Sequence, residues 1–399
     1  MSATEATPLR VVIVGGGVAA LEALIALHDL AGERVRTTLV APEEDFTYRP
    51  LSVAVPFSLG HVERYPLDRV ARDFGARLVR DTVEAVDPET RRIRTAGSEE
   101  LRYDALVVAV GAQTAPPFES GITFGEPGAR DALQGLLADL EGGYAKRVAF
   151  VVPGSTSWPL PLYELALMTA AEVWGMGIDD AELTFVTPEQ APLHMFGSAG
   201  SDAVAGLLEE ARIGFAGSSY ATVDGRTVTL TPGHRTIEAQ RVVTLPLLSG
   251  PGLPGLPADP DGFVPVDDHG LVQGLADVYA AGDATTFPIK QGGIATQQAD
   301  AVARAIAARA GAPVSPDPMR PVLRGMLLTG GAKQYLRHAI TGGKGEGEAA
   351  TRALWWPPHK VAGRYLAPYL FGRQEEEILA GTDEEHLPVA MPVPEQQRP

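Results

Sequence analysis

The chain alternates between short, continuous apolar runs and longer segments whose apolar residues recur at helical spacing. Residues 9–14 read LRVVIV and residues 35–40 read VRTTLV, and such β-branched runs are typical of strands buried on both faces. Between them, residues 18–30 repeat apolar positions every three or four residues, and this pattern stops near Gly32. The order predicts a strand, a helix and a second parallel strand, which is the unit of a Rossmann-type α/β fold.

A glycine-rich turn joins the first strand to the helix. Gly15 permits a tight turn, Gly17 lets the backbone approach a pyrophosphate, and Ala20 is small enough for close packing of the helix on the strand. An acid after the second strand should bind the adenosine ribose, and of the first two carboxylates, Glu43 and Glu44, we favour Glu43. A glycine-rich turn without a ligand is the alternative, but strand, glycines and helix stand in the order that a dinucleotide site needs.

Two later segments repeat the pattern of a buried strand that ends in a glycine turn. Residues 103–112 read YDALVVAVGA, and residues 275–284 read LADVYAAGDA. With the N-terminal GxGxxA, this order resembles the FAD flavoproteins with two dinucleotide-binding domains, the pyridine nucleotide-disulfide oxidoreductase superfamily. The resemblance implies a glutathione-reductase-like α/β fold with two Rossmann-like domains and a C-terminal segment. It also implies that Asp283 binds the ribityl chain of FAD.

Two more segments resemble the branch that contains type II NADH dehydrogenases and sulfide:quinone oxidoreductases. Residues 294–311 form an Ala-rich helical pattern after a Gly-Gly pair, and in that branch such a helix points its N-terminus at the flavin, which places the amides of residues 295–297 there. Residues 46–60 hold the aromatic-x-x-Pro segment that packs beside the flavin in that branch. The expected FAD contacts are Gly15, Gly17, Val18, Ala19, Ala20, Glu43, Arg49, Pro50, Val83, Ala109, Gly111, Gly282, Asp283, Lys290, Gly293, Ala295, Thr296 and Gln297.

A second Rossmann-type unit departs from the family pattern. Residues 146–152, KRVAFVV, predict its first strand, but residues 153–161 read PGSTSWPLP where a glycine-rich turn should hold NAD(P)H. The prolines remove amide donors, and only one glycine remains. A helical pattern follows at residues 162–174, and Glu189 follows the next strand where an adenosine-ribose acid could lie. Glu189 makes NAD(P)H a candidate ligand, whereas the proline-rich loop argues against its binding.

The candidate catalytic residues are Lys290, Glu164 and Tyr48. By resemblance Glu164 matches a glutamate that faces the flavin in the NADH-dependent relatives, although the helix N-terminus alone could favour a carboxylate there. Lys290 could place a positive charge near the flavin, with an exposed loop lysine as the alternative. Tyr48, with Arg49, would lie at the flavin, although Arg49 could instead cap a surface loop.

The composition argues against several classes of function. The chain has no cysteine, which excludes disulfide chemistry and the sulfur-carrying cysteine pair that sulfide oxidation needs. A formal charge of −17 makes nucleic acid an unlikely partner, because an acidic body repels phosphate backbones. The eight histidines show no ligand spacing, so we expect no metal site. Without a secretory signal or an apolar run of transmembrane length, the chain is expected in the cytoplasm.

The C-terminal part changes character after residue 312. Its basic and aromatic residues suit a membrane headgroup region, but we favour a dimer interface or a lid over the flavin, and prolines confine any amphipathic helix to residues 360–367. The mixture comprises Arg352, Trp355, Trp356, His359, Lys360, Arg364, Tyr365 and Tyr369. We expect a homodimer. The domains are expected at residues 1–118 and 253–312 (FAD), 119–252 (NAD-type), 313–380 (cover) and 381–399 (a disordered tail).

These observations predict an FAD-dependent oxidoreductase that passes electrons from a small donor, with NAD(P)H slightly favoured, to an acceptor such as a quinone. The first alternative keeps FAD but takes electrons directly from another substrate held near Trp158 and Trp355. The second alternative is a flavin sensor without catalysis, in which reduction alters the C-terminal segment.

Overall fold

The computed structural model describes residues 7–340 and 346–381, so the predicted tail lies almost wholly outside the described residues, as does part of the GGKGEGE segment. The strands are β1 Leu9–Val14, β2 Val35–Val40, β3 Asp45–Thr47, β4 Arg64–Pro66, β5 Arg77–Val79, β6 Val83–Asp87, β7 Arg92–Thr95, β8 Glu100–Arg102, β9 Ala105–Val108, β10 Gln113–Ala115, β11 Ile122–Thr123, β12 Arg147–Val151, β13 Glu182–Val186, β14 Ile213–Ala216, β15 Tyr220–Asp224, β16 Thr227–Thr231, β17 Thr236–Glu238, β18 Arg241–Thr244, β19 Leu247–Ser249, β20 Val278–Ala280, β21 Val322–Leu327, β22 Gln334–Ala339 and β23 Glu348–Ala350. The helices are α1 Val18–Ala31, α2 Leu67–Asp73, α3 Ala129–Glu141, α4 Leu160–Gly175, α5 Gly197–Glu210, α6 Gly292–Arg309 and α7 Leu366–Gly381.

The first large sheet is parallel, with the strand order β20-β9-β1-β2-β5. β1 and β2 pair along their whole length, from Leu9 beside Val35 to Val14 beside Val40. The predicted strands and the helix between them are therefore confirmed. Helices α1 and α6 pack against each other through buried alanine-rich faces. Because the strands are parallel, β1, β9 and β20 all end at the same edge of the sheet.

The second large sheet repeats this plan. Its order is β11-β18-β12-β13-β14, again with parallel pairing throughout. Helix α4 follows β12 as the sequence predicted, and most of its residues are buried. The α/β fold with two Rossmann-like sheets is confirmed. Smaller antiparallel sheets, β6–β8 and β15–β17, extend the two halves, while β10 pairs with β19 where the chain passes between them.

The C-terminal part is a three-stranded antiparallel sheet, β21–β23, followed by an irregular segment and α7. The prediction that a helix is confined to residues 360–367 is wrong, because α7 begins at Leu366 and runs on to Gly381. Pro368 stands in its first turn, where a missing amide costs no helical hydrogen bond. Within the described residues no helix is both long enough and apolar enough to cross a membrane.

A buried carboxylate attaches α7 to the first sheet's helix. Glu22 of α1 is fully buried, and its two oxygens accept hydrogen bonds from the amides of Arg364, Tyr365 and Leu366 at 2.7–3.0 Å. These amides lie where the chain enters α7, and a helix leaves its first amides without internal partners. Burial raises the pKa of Glu22 to about 7, although the three amides oppose the shift.

Glu22 should make the stability of the protein depend on pH. Because its pKa rises on folding from 4.5 to about 7, its contribution is full below pH 4.5 and is lost as the pH rises through 7. The shift corresponds to at most about 3 kcal/mol. Urea unfolding near pH 5 and near pH 8 should therefore show a smaller pH dependence for Glu22→Gln than for the wild type. The exposed control Glu33→Gln should keep the wild-type dependence, and equal curves for all three proteins would contradict the assignment.

Gly15 should be irreplaceable for a steric reason that does not apply to Gly17. A Cβ on Gly15 would stand 2.2 Å from the carbonyl oxygen of Ala109, whereas no heavy atom in the described part of the chain lies within 4 Å of the Cβ position on Gly17, apart from its chain neighbours. We expect Gly15→Ala to lower the free energy of unfolding by about 3 kcal/mol. Gly17→Ala should cost under about 1 kcal/mol. Thermal and urea unfolding of the two variants, side by side, measure the difference.

Candidate cofactor and active site

The turn between β1 and α1 has the shape that an anionic cofactor group needs. Gly15 lies at a φ of +119°, which brings the backbone close to Ala109. Gly17 caps α1, and the first turn of this helix holds no acidic residue. No side chain in the described residues caps the first amides of α1, and these amides lie at the positive end of the helix dipole, which fits a pyrophosphate. Glu43 lies beside the turn, since its Oε2 is 3.4 Å from the position that a Cβ would take on Gly16.

The remaining residues assigned to this part of the site are small or buried. Val18, Ala19 and Ala20 form the first turn of α1, and the two alanines are buried. Gly111 follows β9 with a φ of +75°, in the left-handed region that favours glycine. Val83 begins β6 and is buried in an apolar cluster that it shares with residues of the first sheet.

The end of β20 brings an acid to the same edge of the sheet. Gly282 lies between α1 and α6, because a Cβ there would be 3.1 Å from the Cβ of Ala19 and 3.4 Å from that of Ala295. Its amide donates to Gln298 Oε1 at 2.8 Å. Asp283 follows, and within the described residues its carboxylate has no hydrogen-bond partner, while burial raises its pKa. A partly buried acceptor without a partner fits the hydroxyl groups of a ribityl chain.

Lys290 is not the exposed loop lysine of the alternative interpretation. It is half-buried, its ammonium group donates to the carbonyl of Thr285, and it lies 3.7 Å from the ring centroid of Phe263. Burial lowers its pKa to about 8, while Asp283 and Asp259 act in the opposite direction. The structure therefore places Lys290 close enough to Asp283 for the two charges to interact.

The N-terminus of α6 corrects one expectation. Gln291 caps the helix through its side-chain oxygen, which accepts from the amide of Ile294 at 2.9 Å. Residues 295–297 give their amides to helical hydrogen bonds, beginning with Ala295 to the carbonyl of Gln291 at 2.9 Å. These amides are therefore not free donors for a flavin. The amides of Gly292 and Gly293, in the first turn, are the donors that the helix leaves free.

The side chains of that first part of α6 also have partners within the protein. Thr296 donates to the carbonyls of Gly293 and Ala362. Gln297 bonds to the backbone of Val322 in both directions, at 2.9 and 3.0 Å. These side chains fasten α6 to β21 and to the C-terminal segment.

Tyr48 holds the C-terminal segment against the first domain. Its hydroxyl accepts a hydrogen bond from the amide of Val361 at 2.9 Å, and burial raises its pKa, so that the phenol stays protonated. Pro50, two residues later, accepts from the ammonium group of Lys360 at 2.9 Å. Arg49 between them is exposed and forms no ion pair within the described residues.

A buried ion pair lies next to this contact. Lys360 Nζ is 2.7 Å from both carboxylate oxygens of Glu164, and the two side chains are 7% and 0% exposed. The amide of Leu328 donates to the same carboxylate at 2.9 Å. Burial raises the pKa of Glu164, and Lys360 opposes the shift. The carboxylate lies beyond the first turn of α4, which holds no acid, so the helix N-terminus does not explain it.

Side chains lie against the loop after β12, although Gly154 itself is exposed. A Cβ on Gly154 would be 2.9 Å from the ring of Tyr220. Trp158 packs edge-on against Phe196 with 5.8 Å between the ring centroids. Pro159 caps α4 and uses its carbonyl to accept the amide of Leu162, while Pro161 has no amide to offer.

Glu189 lies in the loop that follows β13 and already has partners. Its Oε2 accepts from the hydroxyls of Tyr163 at 2.7 Å and Thr187 at 3.1 Å. Its Oε1 is buried without a hydrogen bond, 3.7 Å from Nδ1 of His194. Half of the carboxylate is therefore committed to α4, and burial raises its pKa.

No pattern in the sequence points to the partner of Glu164. Lys360 lies 196 residues away in the chain, and no local spacing connects the two. Gln291, the cap of α6, was also missed, although it stands directly before the Gly-Gly pair. In the part of the chain that the structure describes, no group of three or more histidine, aspartate and glutamate side chains could hold a metal ion.

Solved structures similar to this chain are oxidoreductases. The sulfide:quinone oxidoreductase of the hyperthermophilic bacterium Aquifex aeolicus matches with a TM-score of 0.75 and 20% identity, covering 93% of this chain and 91% of that one. NDH2 of Plasmodium falciparum in complex with NADH matches with a TM-score of 0.63 and 13% identity, covering 93% and 94%. At these identities the likeness concerns the fold alone.

The sequence itself matches a family and a curated relative. The mitochondrial sulfide:quinone oxidoreductase of Dictyostelium discoideum is 32% identical over 105 residues, which cover 26% of this chain and 23% of that protein. The family model for pyridine nucleotide-disulphide oxidoreductases matches residues 9–305, which is more than half of the chain. Family membership confirms the expected FAD-dependent oxidoreductase, so the alternative of a sensor without catalysis is set aside. The chain belongs to the pyridine nucleotide-disulphide oxidoreductase family.

Proposed function

We propose that the protein passes an electron pair from a small donor through FAD to an acceptor such as a quinone, and that Glu164 and Lys360 supply the proton that the reduced acceptor takes up. The observation that carries this proposal is the buried ion pair, which contacts Pro50 in the segment expected beside the flavin. A buried pair is weak evidence for stability, because the loss of hydration offsets the attraction. Ionisable groups held in such surroundings are often functional.

The residues of the chain would divide the work of binding as follows. The free amides at Gly17 and the start of α1 would hold the pyrophosphate, Asp283 the ribityl hydroxyls, and the amides of Gly292 and Gly293 the pyrimidine edge. FAD would supply two-electron oxidation and reduction. The tyrosine hydroxyl of Tyr48 would keep residues 359–361 in position.

The ion pair can both hold and replace a proton. A quinone that receives two electrons also takes up two protons, and an ammonium group at a dry surface is a competent donor. After Lys360 Nζ gives up its proton, the Glu164 carboxylate loses its counter-charge, and burial then favours its uptake of a proton from solvent. Transfer of that proton to Lys360 restores the ion pair, and a second cycle supplies the second proton.

Removing either member of the Glu164–Lys360 pair should slow only the reduction of the quinone, which is the step that needs a proton. We expect Glu164→Gln and Lys360→Met each to lower kcat with a soluble quinone by about 100-fold. Flavin reduction by the donor, and turnover with ferricyanide, which takes electrons without protons, should change by less than about 3-fold. Steady-state assays with both acceptors measure the split, and Glu172→Gln on the same helix serves as the control. Equal losses with both acceptors, together with lost FAD, would make the pair merely structural.

A second candidate concerns the donor, and the loop after β12 favours it. The ring of Tyr220 lies beside Gly154, prolines take the place of amide donors, and Glu189 is bonded to Tyr163. A nicotinamide dinucleotide would have to displace these groups to bind in the usual way. We therefore favour a donor other than NAD(P)H, although the family also contains NAD(P)H-linked members.

An anaerobic titration distinguishes NAD(P)H from another electron donor. Millimolar NADH and NADPH should both leave the visible absorbance of the bound flavin unchanged over minutes, whereas dithionite should bleach it. Trp158→Ala should retain FAD and slow turnover with the true donor. Rapid bleaching by either nucleotide would contradict the argument from the loop and would make NAD(P)H the donor. Protein without any flavin that also fails to take up FAD would remove the whole proposal.

A further inference from the structure

A cleft of about 400 Å³ lies between the outer face of α6, the start of β21 and residues 355–364. It shares only Thr296 and Gln297 with the residues assigned to FAD, and the partners of both side chains were given above. Its lining is rich in cations. Four arginines face it, in a protein with 50 acidic and 33 basic residues, namely Arg304, Arg320, Arg324 and Arg364.

Each of the three acids that line the cleft has a partner within the protein. Glu22 accepts three backbone amides, and Asp300 pairs with Arg304 one turn away, with 3.3 Å between Oδ1 and Nε. Asp317 accepts the hydroxyl of Ser315 at 2.8 Å. Within the described residues, Arg320, Arg324 and Arg364 therefore have no carboxylate partner. The lining holds four arginines against three carboxylates, so positive charge is in excess on this surface.

Of these three arginines, Arg324 has the least favourable electrostatic surroundings. It stands directly opposite Arg337 in the pairing of β21 with β22, and like charges in that position repel. Arg337 has its own partner in Glu348 of β23, whereas Arg324 has none in the described ranges. Burial and Arg337 both lower the pKa of Arg324. A half-buried guanidinium in this position destabilises the sheet unless an anion joins it.

A rigid aromatic wall stands beside these cations. Trp355 is fixed by a hydrogen bond from Nε1 to the carbonyl of His359 at 2.9 Å and by an edge-on contact with Tyr335 at 5.3 Å. Trp356 is 76% exposed. Planar guanidinium groups match the oxygens of phosphate, and a tryptophan face accepts an apolar or aromatic group.

We propose that this cleft binds a ligand with a phosphate group, which Arg320, Arg324 and Arg364 hold while its apolar part lies against Trp355. Three guanidinium groups exceed what a single carboxylate needs and suit the greater charge and the three oxygens of a phosphate. The ligand is separate from the electron donor and acceptor. It would contact the middle of α6, the helix whose N-terminus is proposed to meet the flavin.

The test uses the FAD-loaded protein and phenyl phosphate at constant ionic strength. Isothermal titration should show saturable binding, and Arg324→Gln should raise Kd at least 10-fold. Arg130→Gln removes an exposed arginine of α3 and should leave Kd unchanged. Without ligand, Arg324→Gln should melt no lower than the wild type, because a repulsion has been removed. If Arg324→Gln fails to fold, the exposed Arg364→Gln decides, with an expected rise in Kd of at least 5-fold.

A second arm identifies the source of the phosphate. Flotation with phosphatidic acid vesicles, against phosphatidylcholine vesicles, tests a lipid headgroup. Binding of phenyl phosphate in solution assigns a soluble ligand, and binding to phosphatidic acid alone, lost in Arg324→Gln, assigns a lipid. Both results support the site. No binding of either probe, or equal binding by wild type, Arg324→Gln and Arg364→Gln, overturns it, whatever the outcome of the flavin assays.

Discussion

The buried contact between Glu164 and Lys360 is the constraint on which the arrangement of the site depends. Removing two charges from water costs several kcal/mol per ion in a protein interior, and only close pairing with further hydrogen bonds offsets that cost. The structure meets both conditions, because Leu328 and Pro50 supply those bonds. Helix α4, the turn at Pro50 and the C-terminal segment must therefore meet at one point. A shift of any one of these three elements would leave an unpaired charge in the protein interior.

Two other polar contacts hold the same segment. Tyr48 binds the amide of Val361, and Glu22 binds the amides from Arg364 to Leu366. In each case a side chain of the first domain satisfies a backbone group of the C-terminal part. The segment is thus fixed at three successive places along residues 360–366. It lines the arginine-rich cleft. In the proposed arrangement it also borders the flavin site, so that a ligand in the cleft would act on the same backbone.

The sequence predicted those features that depend on neighbours in the chain. Gly15 and Gly17 were recognised because turn geometry is local, and β1, α1 and β2 followed from periodicity. Lys360 was missed as a partner because its contact with Glu164 exists only after folding. The helix predicted within residues 360–367 was wrong, since proline was treated as a stop, whereas Pro368 stands in the first turn of α7. The amides of residues 295–297 were expected to be free donors, but helical hydrogen bonds use them, because the start of α6 depends on its cap, Gln291.

The chain builds the same strand–turn–helix unit twice, and the difference between the two turns is the strongest argument about the donor. After β1, the space beside Gly17 is open and the helix begins without an acid or a proline. After β12, the ring of Tyr220 lies over Gly154, and Pro159 and Pro161 stand where amides would be needed. The N-terminus of α1 offers an anion both the helix dipole and free amide donors. The N-terminus of α4 offers little more than the dipole. Because binding must exceed the cost of displacing packed side chains, the first turn suits a dinucleotide and the second does not. A donor that reaches the flavin without using the second turn is consistent with both.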